Sequence, residues 1–370
     1  MHRSTIPAIF TALILLVVIS ILLYPQKGTI IDPWQDAGGR PETAYSPADD
    51  ASHFSDNPNY FEWWYFDAQF EECAVAVALH ATDVGTPGSK TPHIEVTAHC
   101  PNETVRILRE YDLKEFRASN ETCNVSIAKN RAEGNLSNYH LTVDEDAVRM
   151  DLQFDSTVQS WRPGTGTIYF DAEKKKHFSW FVAAPRAFVN GTLTVNGTTF
   201  NVTGTGYHDH NWGNIQLFSE ISEWYWGRIY TDNLTLIYAD IVTADRYGQA
   251  AIVPTMLALD KAIVLDSGRT VVKPSGFVFD NKTGNTYPLS LAISFNDSSA
   301  TGDVAMDLSS LTDSRDLTEG KSWIEQSLAK LFVGHPAYYR FLSNAKGTIN
   351  ANGTVYGIDE EVIHELVKLR

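Results

Sequence analysis

From Tyr60 to the C-terminus the chain alternates short apolar runs with turn residues, and within the runs apolar and polar positions alternate with a period of two. That is the pattern of β-strands with one buried face. Thr167–Phe170, His177–Val182, Leu234–Val242, Ala251–Leu259 and Tyr287–Phe295 read this way. Leu193–Val202, centred on Asn196-Gly197, reads as a hairpin. A helical period is confined to Ser322–Phe332 and to Glu360–Lys368. The pattern predicts an all-β protein with minor helices.

One segment breaks this pattern. Ile6–Tyr24 is a 19-residue run without a charge, ~28 Å long as a helix and thus able to cross a hydrocarbon core. His2 and Arg3 precede it and Asp32 and Asp36 follow, which orients the N-terminus to the cytoplasm. No small-x-small cleavage site follows the run, so it reads as an uncleaved signal anchor. Residues 1–5 are then a cytoplasmic stub and 6–24 a transmembrane helix. Residues 25–57, rich in Pro, Gly, Asp and Ser, form a flexible tether.

The body repeats itself. Glu62-Trp63-Trp64-Tyr65 is matched by Glu223-Trp224-Tyr225-Trp226, and each is followed by an alternating strand, Ala74–His80 and Leu234–Asp240, then a Thr/Asp turn. Two copies of one β-unit account for this. The expected fold is therefore two consecutive β-barrel or sandwich domains, residues 58–215 and 216–370, behind the anchor.

Composition narrows the class. A net charge of −16 argues against nucleic acid or an anionic membrane surface as partner. Eleven Asn-X-Ser/Thr sequons occur beyond the anchor, against roughly three expected by chance. Those at Asn190, Asn196 and Asn352 are explained by Asn-Gly turns. Glycosylation candidates include Asn102, Asn120, Asn124, Asn135, Asn233, Asn281 and Asn296. The body is thus expected outside the cytoplasm. Of the three cysteines, Cys100 and Cys123 are the candidates to pair there, and Cys73, beside an alternating run, reads as a small buried residue.

The candidate chemistry centres on Gly206-Tyr207-His208-Asp209-His210-Asn211-Trp212-Gly213 and on Trp224-Tyr225-Trp226-Gly227-Arg228. At strand periodicity Tyr207, Asp209 and Asn211 share one face, and Trp224, Trp226 and Arg228 share another. A carboxylic acid set among apolar walls keeps its proton near neutral pH and can act as a general acid. Tyr207 and Asn211 would orient it. Trp64, Trp224 and Trp226 would line a substrate pocket and stabilise a cation. The competing reading has Asp209 capping a turn or paired with Arg228. His208 and His210, on the opposite face, line the pocket or ligate a metal with His80, His93, His99 or His177. The spacing selects none of these four, and a metal is not assigned. Glu62 and Glu223 stand at equivalent places, either as acids in one pocket or as anchors of strand starts. No phosphate loop and no GxSxG elbow occurs, so no cofactor is expected.

Together, Glu62-Trp63-Trp64-Tyr65-Phe66, Gly206-Tyr207-x-Asp209-x-Asn211-x-Gly213 and Trp224-x-Trp226-x-Arg228 resemble the carotenoid 1,2-hydratase (hydroxyneurosporene synthase) family and the wider AttH-like, lipocalin-related group, over residues 55–360. The Trp63–Asp67 strand is also similar to one in fungal Diels-Alderase-type pericyclases. The resemblance implies two lipocalin-like domains and cofactor-independent addition of water to a terminal double bond of an acyclic carotenoid. Asp209 stands at the motif acid and would be the proton donor. The function expected is a hydratase or lyase acting on an isoprenoid or other apolar substrate. A non-catalytic carrier of apolar ligands and a pericyclase are the alternatives. A membrane anchor and a sequon-rich exterior depart from a bacterial pigment enzyme, and such a resemblance fixes fold better than substrate.

Overall fold

The computed structural model describes residues 27–38, 43–82, 88–101, 103–319 and 334–370. The expected anchor (6–24), the helical stretch 322–332 and Asn102 lie outside them. Among the described residues no helix is long and apolar enough to cross a membrane.

Two antiparallel sheets divide the body in chain order. The first contains the strands from Phe61–Phe70 to Thr198–Gly213, and the second those from Ile221–Tyr230 to Thr354–Lys368 except Val278–Asp280 and Asn285–Tyr287, which pair only with each other. In both, the opening strand pairs with the strand that follows it and with the last strand of its own sheet. The two Trp-rich repeats are these opening strands.

Each sheet curls around its own core. Val77 and Val96, near one end of the first sheet's strand order, share a cluster with Val125 and Leu141 from the other end. The second sheet does the same around Leu236, Ile293, Met306 and Phe341. A third cluster belongs to neither interior. Phe61, Trp180, Val182 and Tyr207 of the first sheet pack there against Trp226, Ile237, Ile241 and Val367 of the second. Because side chains alternate across a strand, each opening strand feeds both a barrel interior and this seam.

The Glu360–Lys368 helix is corrected to strand, within Thr354–Lys368. Val362 and Leu366 enter the second core while Val367 enters the seam. A strand buried on both faces carries apolar residues almost continuously, and short runs of that kind do not separate helix from strand by period. The flexible-tether reading of 25–57 fails over its described parts. Ile31 bridges to Tyr169, and the 3₁₀ turn Pro47–Asp50 carries Asp50 and Ala51 into the body, 0% and 1% exposed. The disulfide is also corrected: Cys73 bonds Cys100 across adjacent strands, and Cys123 is a buried free thiol. Strand pairing aligns Ala74 with His99, which places Cys73 and Cys100 side by side. Linear spacing carries no such register.

Candidate active site

The Thr198–Gly213 strand sits at the centre of the first sheet, between Phe61–Phe70 and His177–Val195. Gly206 starts the motif because a Cβ there would lie 2.5 Å from Val189 and 2.6 Å from Phe154. From Tyr207 on, odd positions face the seam and even positions the barrel interior.

Asp209 is 6% exposed and faces the seam. Its Oδ2 accepts from the Trp180 indole N–H and the Tyr207 hydroxyl, both at 2.8 Å, and its Oδ1 from the Asn211 amide at 2.9 Å. The expected trio of Tyr207, Asp209 and Asn211 is thus assembled, with Trp180 as a fourth member. Trp180 is held opposite Asn211, just before two register shifts around Pro185 that bend its strand. The bend also docks the second sheet: Tyr230 donates to the Pro185 carbonyl at 2.6 Å and Arg186 to that of Thr231 at 2.7 Å.

Burial pushes the Asp209 carboxyl up to about 6, while the hydrogen bonds from Trp180 and Tyr207 pull the other way. Burial wins because no Lys or Arg forms a salt bridge with Asp209 among the described residues. The pairing with Arg228 considered from sequence does not form. Arg228 bonds Asp67 instead, and both are buried. Its guanidinium lies over the rings of Tyr207 (5.4 Å) and Trp226 (5.7 Å).

The aromatic wall differs in part from expectation. Trp226 faces the seam 5.0 Å from Tyr207, its indole N–H buried without a hydrogen-bond partner. Trp224 packs at the edge of the same cluster, half-buried. Trp64 does not take part: it lies in the first barrel's core, stacked on His210 at 4.4 Å. Trp63 and Tyr65, its neighbours, are the residues that reach the seam.

Glu62, His208 and His210 are likewise corrected from substrate contacts to interior residues. His210 lies 2.9 Å from Glu62 and 3.4 Å from Asp50, and His208 lies 2.9 Å from Asp50, all of them buried. Burial opposes charge on the His210 ring, but the neighbouring Asp50 and Glu62 carboxylates, the latter accepting from Nε2, outweigh it and raise its pKa to about 9. Glu62 and Glu223 do not meet; Glu223 lies 3.7 Å from Lys368. This polar knot ties the 47–53 segment into the barrel. It stands behind the strand that carries Asp209, not in front of it.

A seam network went unread in the sequence. Tyr65 donates to Asp67 at 3.1 Å, Tyr338 donates to Glu365 at 2.7 Å, and Arg340 bonds both Tyr65 (3.3 Å) and Glu365 (3.0 Å). Burial raises the Glu365 carboxyl, with Arg340 opposing. Asp67 carried a signal, since it shares the period of Trp63 and Tyr65. Glu365 was hidden by the helical reading of its segment.

Two cavities open near these elements. The larger, about 580 Å³, lies between Ser52–Ser55, Tyr60, His177 and Trp212–Asn214, away from Asp209. The smaller, about 240 Å³, is walled by Arg186, Arg228, Tyr230 and Glu360–Ile363. Asp209 lines neither; the smaller ends at Arg228, whose guanidinium lies between it and the Tyr207 ring. The described sequons Asn120, Asn124, Asn135, Asn233, Asn281 and Asn296 are all exposed.

A family model described as AttH-like matches residues 93–330. Hydroxyneurosporene dehydrogenase of Chlorobaculum tepidum is 28% identical over 228 residues, 51% of this chain and 58% of that protein. Quinolone epoxide rearrangement protein asqO of Emericella nidulans is 34% identical over 61 residues, 16% of this chain and 17% of that one. The chain thus matches little more than half the length of one curated relative and a small part of the other. Among solved structures, an AttH-type protein from Nitrosomonas europaea superimposes with a TM-score of 0.64 at 13% identity, over 88% of this chain and 97% of that one. CghA with Sch210972 gives 0.61 at 12%, over 92% and 98%. Kievitone hydratase from Nectria haematococca gives 0.54 at 15%, over 83% and 88%. At these identities the likeness is one of fold.

Proposed function

The chain belongs to the AttH-like family, and from that premise we propose that it is a cofactor-independent hydratase-type enzyme acting on an alkene of an apolar, isoprenoid-like substrate, with Asp209 as proton donor. The carrying observation is a buried carboxyl held at about 6 in an aromatic seam, oriented by three donors and without a salt-bridge partner among the described residues.

In the productive state Asp209 carries the proton. Two of its bonds, from Trp180 and Tyr207, converge on Oδ2, which leaves Oδ1 as the protonated oxygen. Asn211 accommodates this by turning its amide oxygen toward Oδ1. Transfer to the alkene forms a C–H bond and leaves a carbocation, while Asp209 becomes a carboxylate. The faces of Trp226 and Tyr207 stabilise such a cation by about 0.5–2 kcal/mol each. Arg228 already lies over both rings, and Asp67 offsets its charge. Water then adds to the cation and its proton returns to Asp209, so the acid is regenerated and no cofactor is consumed. The reading places substrate entry at the cavity beside Arg228 and requires the Arg228 side chain to move aside, because Asp209 does not line that cavity.

The Cys73–Cys100 bond and the exposed sequons support a body outside the cytoplasm, behind a 6–24 anchor.

The test is turnover in ¹⁸O-labelled water, with an acyclic carotenoid as probe, for wild type and Asp209→Asn. The reading expects a labelled alcohol from the wild type and a loss of about 10²-fold or more in the variant. Full turnover by Asp209→Asn would sink it. Ligand recovered unchanged would indicate a carrier, and an unlabelled isomer a pericyclase.

A further inference from the structure

The seam face of the first sheet carries a second polar cluster, three strands away from Asp209. His80 and His93 are directly opposed on neighbouring strands, and their rings stack at 4.2 Å, 9° from parallel. Glu95 follows His93 by two residues and shares its face. Its Oε1 lies 3.9 Å from His80 Nε2 and 4.0 Å from His93 Nε2. These separations are too long for hydrogen bonds, so one carboxylate oxygen faces two imidazole nitrogens and satisfies neither. The other oxygen, Oε2, accepts from Arg315 of the second sheet at 3.2 Å. Arg315 in turn lies 3.3 Å from Asp313, which offsets its charge. His80 is 9% exposed with its Nδ1 lacking a hydrogen-bond partner, whereas the Glu95 side chain is 37% exposed. The cluster is closed at one end and open at the other.

We propose that His80, His93 and Glu95 form a binding site for a divalent cation of the zinc type, with an open coordination position on the Glu95 side. Two imidazoles and one carboxylate are a donor set that such ions favour when a position is kept for water or another oxygen ligand. Metal–ligand bonds of ~2.0 Å set tetrahedral ligand atoms ~3.3 Å apart, so each Glu95–imidazole separation shortens by ~0.6 Å on an ion. Glu95, the most exposed of the three, can move by that amount. Arg315 fixes which carboxylate oxygen points inward, as an outer partner of a metal ligand does.

A second trio, Asp50, Cys123 and His208, also brings ligand atoms together. It fits an ion poorly. Asp50 Oδ2 already accepts from Tyr139 at 2.8 Å and meets His208 at 2.9 Å. All three residues are enclosed, so no coordination position is open to another ligand.

Cross-strand pairing sets Glu95 in one row with Ala78, Tyr65 and Asp209. Three strand spacings separate the ends of that row, ~14 Å. The cation would hold an oxygen ligand at the far side of the seam and not touch the proton donor, so this assignment stands apart from the proposed reaction.

The test uses untagged full chain, stripped with chelator and titrated with Co²⁺, then with Zn²⁺ in competition. The expected result is one equivalent of Co²⁺ with visible d–d bands, displaced by Zn²⁺. Glu95→Gln should weaken binding at least tenfold, with unchanged thermal unfolding in the absence of metal, and His80→Ala should act in the same direction. Three results would overturn the proposal: no saturable binding up to ~1 mM, wild-type affinity in Glu95→Gln, or a near-ultraviolet thiolate band that Cys123→Ser abolishes.

Discussion

Arg228 pairs with Asp67 and not with Asp209, although Arg228 lies directly over the ring of Tyr207, which hydrogen-bonds Asp209. That choice of partner sets the chemistry of the seam. Had the guanidinium reached Asp209, the carboxyl would have been held ionised and useless as an acid near neutral pH.

The first consequence concerns pH. A general acid must be protonated, so turnover should be high below about 6 and fall as pH rises through that value. Trp180 donates to the carboxylate and thereby favours the anion. Trp180→Phe removes that bond, raises the Asp209 pKa and should move the alkaline limb of the pH–rate profile upward. A limb that stays in place, or moves down, would separate this profile from Asp209.

The knot behind the strand should affect stability without affecting that profile. Glu62→Gln leaves the His210 charge short of a buried partner, a loss of about 3–5 kcal/mol. The sign with pH follows from His210, whose folded-state pKa is raised to about 9. Its stabilisation is full below the unfolded value near 6.5 and is lost as pH rises through about 9. Urea titrations at pH 6 and pH 9.5 should show wild type weakening more than Glu62→Gln. Equal slopes with pH would contradict the assignment of Glu62 as an interior anchor.

Asp240 offers the opposite case. It is 6% exposed in the second barrel, its Oδ1 has no partner, and burial, assisted by Glu223, pushes its carboxyl up to about 6. A raised acid is stabilising when protonated, and that contribution disappears as pH rises through the folded value. Asp240→Asn should therefore stabilise the fold by about 1–3 kcal/mol at pH 8 and change little at pH 4. Chemical denaturation at the two pH values measures the difference directly.

The disulfide gives a fourth test. Cys73 and Cys100 are 27 residues apart, so opening the bond should cost about 3 kcal/mol through the freed loop. Cys73→Ser and Cys100→Ser should lower the unfolding midpoint alike, and Cys123→Ser should leave the bond intact. Intact protein should show a single thiol that reacts with alkylating reagent only after denaturation. A thiol that reacts in the native state, or bonding through Cys123, would contradict the strand register.

The amino-acid sequence by itself determined the all-β class, the two-unit repeat and the grouping of Tyr207, Asp209 and Asn211 on one strand face. These are local or periodic properties: a period of two dictates which residues share a face, whatever the strand packs against. It did not determine which face each neighbouring strand turns to the seam. Trp64 and Trp63 are adjacent and chemically alike, yet one enters a barrel core and the other the seam, because register depends on partners more than a hundred residues away. The same holds for the pairing of Cys73 with Cys100. Long-range packing also chose Asp67 for Arg228, brought Trp180 onto Asp209 and turned the Glu365 segment into a strand. An isolated segment has no burial, and burial is what raises the carboxyl of Asp209, so the property that makes it a candidate acid exists only once both sheets have closed over it.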